Sequence, residues 1–337
     1  MLRSTWGNTQ EGSATVERLE AQWDWRFLRN PEATPSVPSG FVLERDGEVV
    51  GYVSCTPMRV KIRSSIQPGF SPGEWVTDPT RARGYGALLM RRVMSLQGVG
   101  IAAPNEAAYP ALKRLGWSDV CRLESWARVV RADRLLLARI LRRLRNAAVP
   151  PGGLEGAPGP LHARPRADGP IEIVPVARFD ERFDALWDRV APELGTAVVR
   201  DRRFLNWRYV DIPGRRYAIA AAERRGELEG YVVYYARWRD GVLFGHVIDL
   251  LVARAAASTR DVLLAYAVDE LKRSGVAVIT SYATPHDTFL RSGLRRAGFP
   301  FARRGPAVLA IDGAGACAIH PGDWFLTRGD SDLDMAT

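Results

Sequence analysis

Three segments of this chain occur twice, in the same order and at nearly one spacing. That repetition limits the folds open to it. "WDWRFLRNP" (Trp23–Pro31) returns as "FLNWRYVDIP" (Phe204–Pro213), with Trp25-Arg26 and Trp207-Arg208 182 residues apart. "RDGEVVGYVS" returns as "RGELEGYVVY", with Gly51 and Gly230 179 apart, and "APNEAAYPALKRLGW" returns as "ATPHDTFLRSGLRRAGF", with Gly116 and Gly298 182 apart. A period this long implies tandem domains rather than a stack of short repeats. The 337 residues suffice for two cores.

The periods within each half agree. A helix ends at Trp-Arg. Two strands then flank a turn: Phe41–Leu43 and Val49–Cys55 around Asp46-Gly47, and Tyr217–Ala222 and Leu228–Tyr235 around Arg225-Gly226. A further strand ends at Val76 or Val252. A long helix follows (Tyr85–Leu96; Asp261–Lys272), then a short buried strand (Val99–Ala103; Val276–Tyr282), a helix ending at Gly116 or Gly298, and a closing strand. The class expected is α/β, each half a mixed sheet flanked by helices.

Between the halves, Val149–Pro170 is rich in Pro and Gly and lacks both apolar periods, so it reads as a linker. The expected domains are 1–148, a linker at 149–170, and 171–337. Apolar residues at 136, 137, 140, 141 and 144 predict a helix over Ala132–Ala148, basic on its other face. It could pack on its own domain or lie on a membrane surface.

The net charge of +9 comes almost wholly from arginines spread along the chain. That spread favours a solvated basic surface, and nucleic acid is disfavoured as a partner. No apolar run reaches membrane-span length, and the N-terminus lacks an apolar segment, so the expected location is cytoplasmic. Cys55, Cys121 and Cys317 are few and scattered, as reduced thiols are, and neither they nor the four histidines show metal-ligand spacing.

One loop carries chemistry. Gly84 and Gly86 sit where a strand ends and a helix begins, so the backbone can approach a ligand closely. Free N–H groups of the first helical turn point the same way, and Arg81 and Arg83 add charge. A plain strand-to-helix turn is the alternative.

Val76, Arg81, Gly84 and Gly86 resemble the acetyl-CoA pyrophosphate signature of the GCN5-related N-acetyltransferases (GNAT superfamily). Asn105 and Ala108, closed by Leu115-Gly116-Trp117, are similar to that family's second signature. The "PNEAAYP" run, the Trp-Arg motifs and the tail "DWFLTRGDSDLD" resemble a bacterial tandem subgroup, some of whose members are encoded near polysaccharide assembly genes. The resemblance implies two tandem GNAT-like domains, each a mostly antiparallel sheet with helices. It also implies acetyl-CoA, or another acyl-CoA, as cosubstrate without a metal, held by Val76, Arg81, Ala82, Arg83, Gly84, Tyr85, Gly86, Ala87 and Asn105. The chain departs from the pattern in three places. Ala82 replaces a glycine, Pro79 comes one residue late, and Leu112 stands where a tyrosine often protonates the departing thiolate. Tyr109, one turn earlier, is the substitute candidate; a packed amphipathic tyrosine is its plain alternative.

Direct acyl transfer to an amine also needs a base. Glu74, on the strand ending at Val76, is the candidate. Aligning Leu88-Leu89 with Leu263-Leu264 sets Asp249 opposite Glu74, but sets Thr259 and Asp261 opposite the two glycines. The second half therefore lacks the cradle. His246, Asp249, His286 and Asp287 are candidates for contacting an acceptor there, or for structural roles. The expected activity is N-acetyl transfer to a small-molecule amine, such as an amino sugar or natural-product intermediate. A homodimer is left open. The rivals are an aminoacyl-tRNA-dependent transferase of the peptidoglycan cross-bridge type, whose donor needs no cradle, and a non-catalytic CoA-binding pair.

Overall fold

The computed structural model describes residues 16–35, 37–136, 161, 163–239, 241–313 and 320–330. The N-terminal half runs α1 (Val16–Trp23), a π-helical turn (Asp24–Leu28), β1 (Gly40–Arg45), β2 (Glu48–Ile62), β3 (Ser65–Thr77), α2 (Gly86–Met94), β4 (Val99–Ala102), α3 (Ala108–Arg114) and β5 (Ser118–Val129). The C-terminal half begins with β6 (Arg166–Asp168) and β7 (Ile171–Pro175). It continues through α4 (Glu181–Val190), β8 (Thr196–Val198), α5 (Arg202–Leu205), a second π-helical turn (Asn206–Val210), β9 (Ala218–Arg224), β10 (Glu227–Arg239) and β11 (Val242–Val252). Then come α6 (Ala257–Arg273), β12 (Val278–Ala283), α7 (Thr288–Arg296), β13 (Phe301–Asp312) and β14 (Trp324–Phe325).

The repeat read from the sequence is a repeat in space. Gly51 pairs with Thr77 and Tyr52 with Val76 across β2–β3; Gly230 pairs with Val252 and Tyr231 with Leu251 across β10–β11. Both Trp-Arg motifs lie in π-helical turns closed by matching bonds, Arg29 N–H to Asp24 O and Asp211 N–H to Asn206 O. Helices α3 and α7 end alike. Trp117 N–H bonds to Leu112 O and Phe299 N–H to Leu294 O, with Gly116 at φ 98° and Gly298 at φ 78° between them. That C-cap needs a left-handed residue, which explains the repeated glycine.

The halves are not separately built. All strands join one 14-stranded sheet, ordered β14-β8-β2-β3-β4-β13-β5-β12-β11-β10-β9-β7-β6, with β1 on β2. The closing strands are exchanged: β13 pairs with β4 and β5, and β5 pairs with β12. Each half-core thereby takes a residue from the other half. Leu309 joins Val53, Phe70 and Leu89, while Trp126 joins Val232, Leu263 and Ile279. The largest core spans both halves, from Met58, Val60 and Ile101 to Phe183, Tyr231 and Ile248. At its centre Trp25 and Trp207 stack with centroids 4.9 Å apart. Each indole N–H donates to the other's carbonyl, at 2.7 and 2.8 Å. This reciprocal pair marks a pseudo-twofold axis between the repeats.

Two expectations change. The segment 149–170 is not all linker: β6 lies within it and adds an edge strand to β7. Three residues with little apolar content leave no sequence signal for a strand. Strand β2 also runs past Cys55 to Ile62, because its hairpin with β3 turns at residues 63–64. Of the helix expected over 132–148, residues 132–136 are helical; the rest, like Cys317, lies outside the described residues. Among the described residues, no helix is long and apolar enough to cross a membrane.

Candidate functional site

Helix α2 starts directly after the glycine loop. Its N-terminus carries no side-chain cap, and the N–H groups of Gly84, Gly86 and Ala87 meet no acceptor among the described residues. Such donors, with the positive end of the helix dipole behind them, form an anion site. Asp78 shapes the approach: its Oδ1 accepts from Thr80 N–H at 2.8 Å and Arg81 N–H at 2.9 Å. Gly84 has φ 85°, which any β-carbon would strain. Gly86 differs: a β-carbon there would meet Trp75 Nε1 at 3.4 Å and Thr77 Cγ2 at 3.5 Å, ordinary contacts. The Ala82 side chain is fully buried, so it is part of the core rather than of the cradle. Arg81 is not aimed into the loop; its guanidinium pairs with Glu48. Arg83 and Tyr85 are exposed.

Strand β3 breaks its pairing beside this loop. Tyr52 pairs with Val76 and Ser54 with Gly73, so Glu74 and Trp75 together oppose Val53. This is a β-bulge, with Glu74 at φ 42°. The bulge sends neighbours to opposite faces. Trp75 turns to the α2 side and donates to Gly86 O at 3.0 Å. Glu74 turns to the π-turn side and accepts from Arg26 Nη1 at 2.6 Å. Arg26 also donates from Nε to Thr56 Oγ1 at 2.5 Å. The first Trp-Arg motif thus fixes a carboxylate at the bulge, a role that the sequence reading missed, whereas Arg208 of the second donates to Gly329 O. On the same side, Arg26, Thr56, Met58, Ser71, Phe204, Trp207, Arg208 and Gly329 line a cleft at the pseudo-twofold axis.

Other candidates lie elsewhere. Tyr109 Oη donates to Asp119 at 2.8 Å, and Lys113 pairs with the same carboxylate. That hydrogen bond holds the Tyr109 phenol above its ordinary range. Leu112 is buried in the core, and Asn105 caps α3 by accepting from Ala108 N–H at 2.8 Å.

Strand register sets Asp249 at the position equivalent to Glu74, but Asp249 is not open to an acceptor. It is 1% exposed and accepts from Arg200, Tyr209 and Tyr231, while Arg200 also pairs with Asp330 at 2.7 Å. Its expected acceptor contact is therefore corrected to a buried ion network. His246 is buried beside Tyr235 and bonded through Nδ1 to Thr280 Oγ1. Burial, then the charges of Arg328 and Arg237, push its imidazole well below the usual range. His286 is exposed near Gly322, and Asp287 caps α7 and pairs with Arg254. The partners of these groups differ: Arg200, Tyr209 and Tyr231 for Asp249, Thr280 for His246, and Leu290 N–H and Arg254 for Asp287. Asp261, opposite Gly86 in the repeat, pairs with Arg260 and Arg296. Burial pushes the Cys55 and Cys121 thiols up to about 12, which suits packing and not nucleophilic attack. No three potential metal ligands cluster among the described residues.

No family model matches the chain, and no curated protein does. Solved structures share its fold. Saccharomyces cerevisiae N-myristoyltransferase with bound myristoyl-CoA superposes with a TM-score of 0.54 at 11% identity, covering 88% of this chain and 74% of that one. A conserved Enterococcus faecalis protein of unknown function, described as a probable N-acyltransferase, gives 0.56 at 16%, covering 89% and 66%. A GCN5-related N-acetyltransferase from Anabaena variabilis gives 0.58 at 13%, covering 92% and 70%. At these identities the likeness is one of fold, and that fold is the GNAT fold.

Proposed function

We propose that this GNAT-fold chain is an N-acyltransferase that uses an acyl-CoA. The observation that carries the reading is the uncapped start of α2, whose free N–H groups at Gly84, Gly86 and Ala87 adjoin the Glu74 bulge. The N-terminal half, 1–148, takes the donor. The C-terminal half, 171–337, closes the acceptor side of the cleft, and the remainder of 149–170 joins them.

In this reading the loop N–H groups hold the pyrophosphate, with Arg83 supplying charge at the surface. The acceptor amine enters from the π-turn side, where Glu74 takes a proton from its ammonium. The amine nitrogen then attacks the thioester carbonyl carbon. The C–N bond forms, and the nitrogen loses its second proton to solvent as the C–S bond breaks. The thiolate leaves and takes a proton from solvent, and Glu74 returns its own proton to solvent. No covalent enzyme intermediate is needed, in keeping with the buried Cys55 and partly buried Cys121, whose thiols are both pushed up. Tyr109 is left out as the acid because its proton already has an acceptor in Asp119. The N-myristoyltransferase neighbour bears a long-chain acyl-CoA, which supports an acyl-CoA donor without favouring acetyl. A small-molecule amine, such as an amino sugar or natural-product intermediate, is the acceptor class proposed. The location proposed is cytoplasmic, where acyl-CoA is available.

The test is CoA release from acetyl-CoA and longer acyl-CoAs over a panel of primary amines. Amine-dependent release, lost in Gly84→Asp/Gly86→Asp and reduced at least about a hundredfold in Glu74→Gln, is expected. Equal release by wild type and both variants would overturn the assignment.

A further inference from the structure

We infer that Tyr52 Oη and Ser54 Oγ, on β2 beside the Glu74 bulge, form with the Glu74 carboxylate a receptor for the acceptor's ammonium group. This rests on the acyl-transfer reading for its purpose, but not for its geometry. The Tyr52 residue is 9% exposed and Ser54 0%; the two hydroxyls lie close to one another, but no contact among the described residues gives either oxygen a hydrogen bond of good geometry. Two buried hydroxyls with only a poorly aligned contact to each other are costly unless something supplies a better partner. Alternation along β2 turns Tyr52 and Ser54 away from Val53 and Cys55, which pack in the α2-side core, and toward Arg26 and Glu74.

Gly73 keeps a further side chain out of the gap between Arg26 and Ser54. A β-carbon there would lie 2.7 Å from Arg26 Nη2 and 3.1 Å from Ser54 Oγ. The oxygens around this space are two hydroxyls, each able to accept, and one carboxylate. An ammonium brings three donors to match them. A carboxylate or phosphate would meet Glu74 instead. The Arg26 charge is compensated by Glu74 in the resting pair. Once the amine is bound, that charge favours loss of its proton, leaving neutral nitrogen as nucleophile. The phenol of Tyr52 is held protonated by burial first and by Glu74 second, so it stays a neutral ligand throughout.

The experiment uses the full chain with ¹³C-labelled tyrosine, its Tyr52 resonance assigned by its loss in Tyr52→Phe. It is titrated with propylammonium chloride and, separately, with 1-propanol. The expected result is a saturable shift with propylammonium alone, with affinity about tenfold weaker in Ser54→Ala, as for one hydrogen bond to a charged group. No shift with propylammonium, or the same shift with 1-propanol, would overturn the inference. Acetyl-CoA binding, followed in parallel by calorimetry, separates the two ideas. Donor binding without an ammonium response removes the subsite alone. An ammonium response without donor binding removes the acyltransferase reading and leaves the subsite.

Discussion

Trp207→Phe tests whether the halves form one folding unit. The substitution keeps an aromatic ring but deletes the indole N–H that donates to Trp25 O at 2.8 Å. A buried carbonyl left without its donor costs about 1–3 kcal/mol. The smaller ring also loses part of the stack with Trp25, centroids 4.9 Å apart, and of the contact with Phe204 at 5.7 Å, together about 1 kcal/mol. The expected loss is thus about 2–4 kcal/mol, read from urea unfolding followed by far-ultraviolet circular dichroism. Because the central core and the exchanged strands join the halves, the transition should stay single and shift as a whole. Trp25→Phe should cost a similar amount. The double variant should cost less than the sum by about 0.5–1.5 kcal/mol, since the stack is lost only once. Two resolved transitions, of which only one moves, would refute the reasoning.

Four further outcomes follow from the geometry. Asp249→Asn should destabilise the chain by about 3–5 kcal/mol by leaving Arg200 half-compensated in the core. Glu74→Gln, at a partly exposed pair, should cost under about 1 kcal/mol in the same unfolding assay. Buried His246 stays neutral where the unfolded chain takes up a proton, so the folded state binds fewer protons as pH drops below about 6.5. Its contribution therefore lowers stability on acidification, and unfolding from pH 7.5 to 5 should show a shallower loss in His246→Asn. In Cys317→Ser, the remaining Cys55 and Cys121 should react with a disulfide reagent at pH 8 far more slowly in the native chain than in urea.

Much of this architecture was legible in the sequence because a repeat leaves its offset in every element. Trp25 and Trp207, matched by spacing, touch in the fold. The Asp249–Glu74 equivalence survives in the strand register. The exchange of closing strands was not legible. An alternating apolar strand such as Ser118–Val129 suits either neighbouring sheet, and its partner is decided by tertiary packing. The bulge was hidden for another reason: Glu74 adopts φ 42° without glycine's signal, so a regular strand was the default reading. The position of Gly84 and Gly86 between a strand and a helix was legible, but the pairing of Arg81 with Glu48 was not, because nothing local distinguishes an arginine facing a ligand from one facing a carboxylate. Tyr52 and Ser54 were passed over although the alternation of Tyr-Val-Ser-Cys-Thr sets three hydroxyls on one face. That pattern was the available signal. What gave it meaning was Arg26, brought in from the π-turn.

The central claim is that the start of α2 holds an acyl-CoA. Calorimetry of acetyl-CoA and myristoyl-CoA binding, on wild type and on Gly84→Asp/Gly86→Asp, tests it most directly. The account predicts one site per chain in the wild type and loss of binding in the double variant, whose circular dichroism is unchanged. Absence of binding to the folded wild type, or equal binding by both proteins, would contradict it.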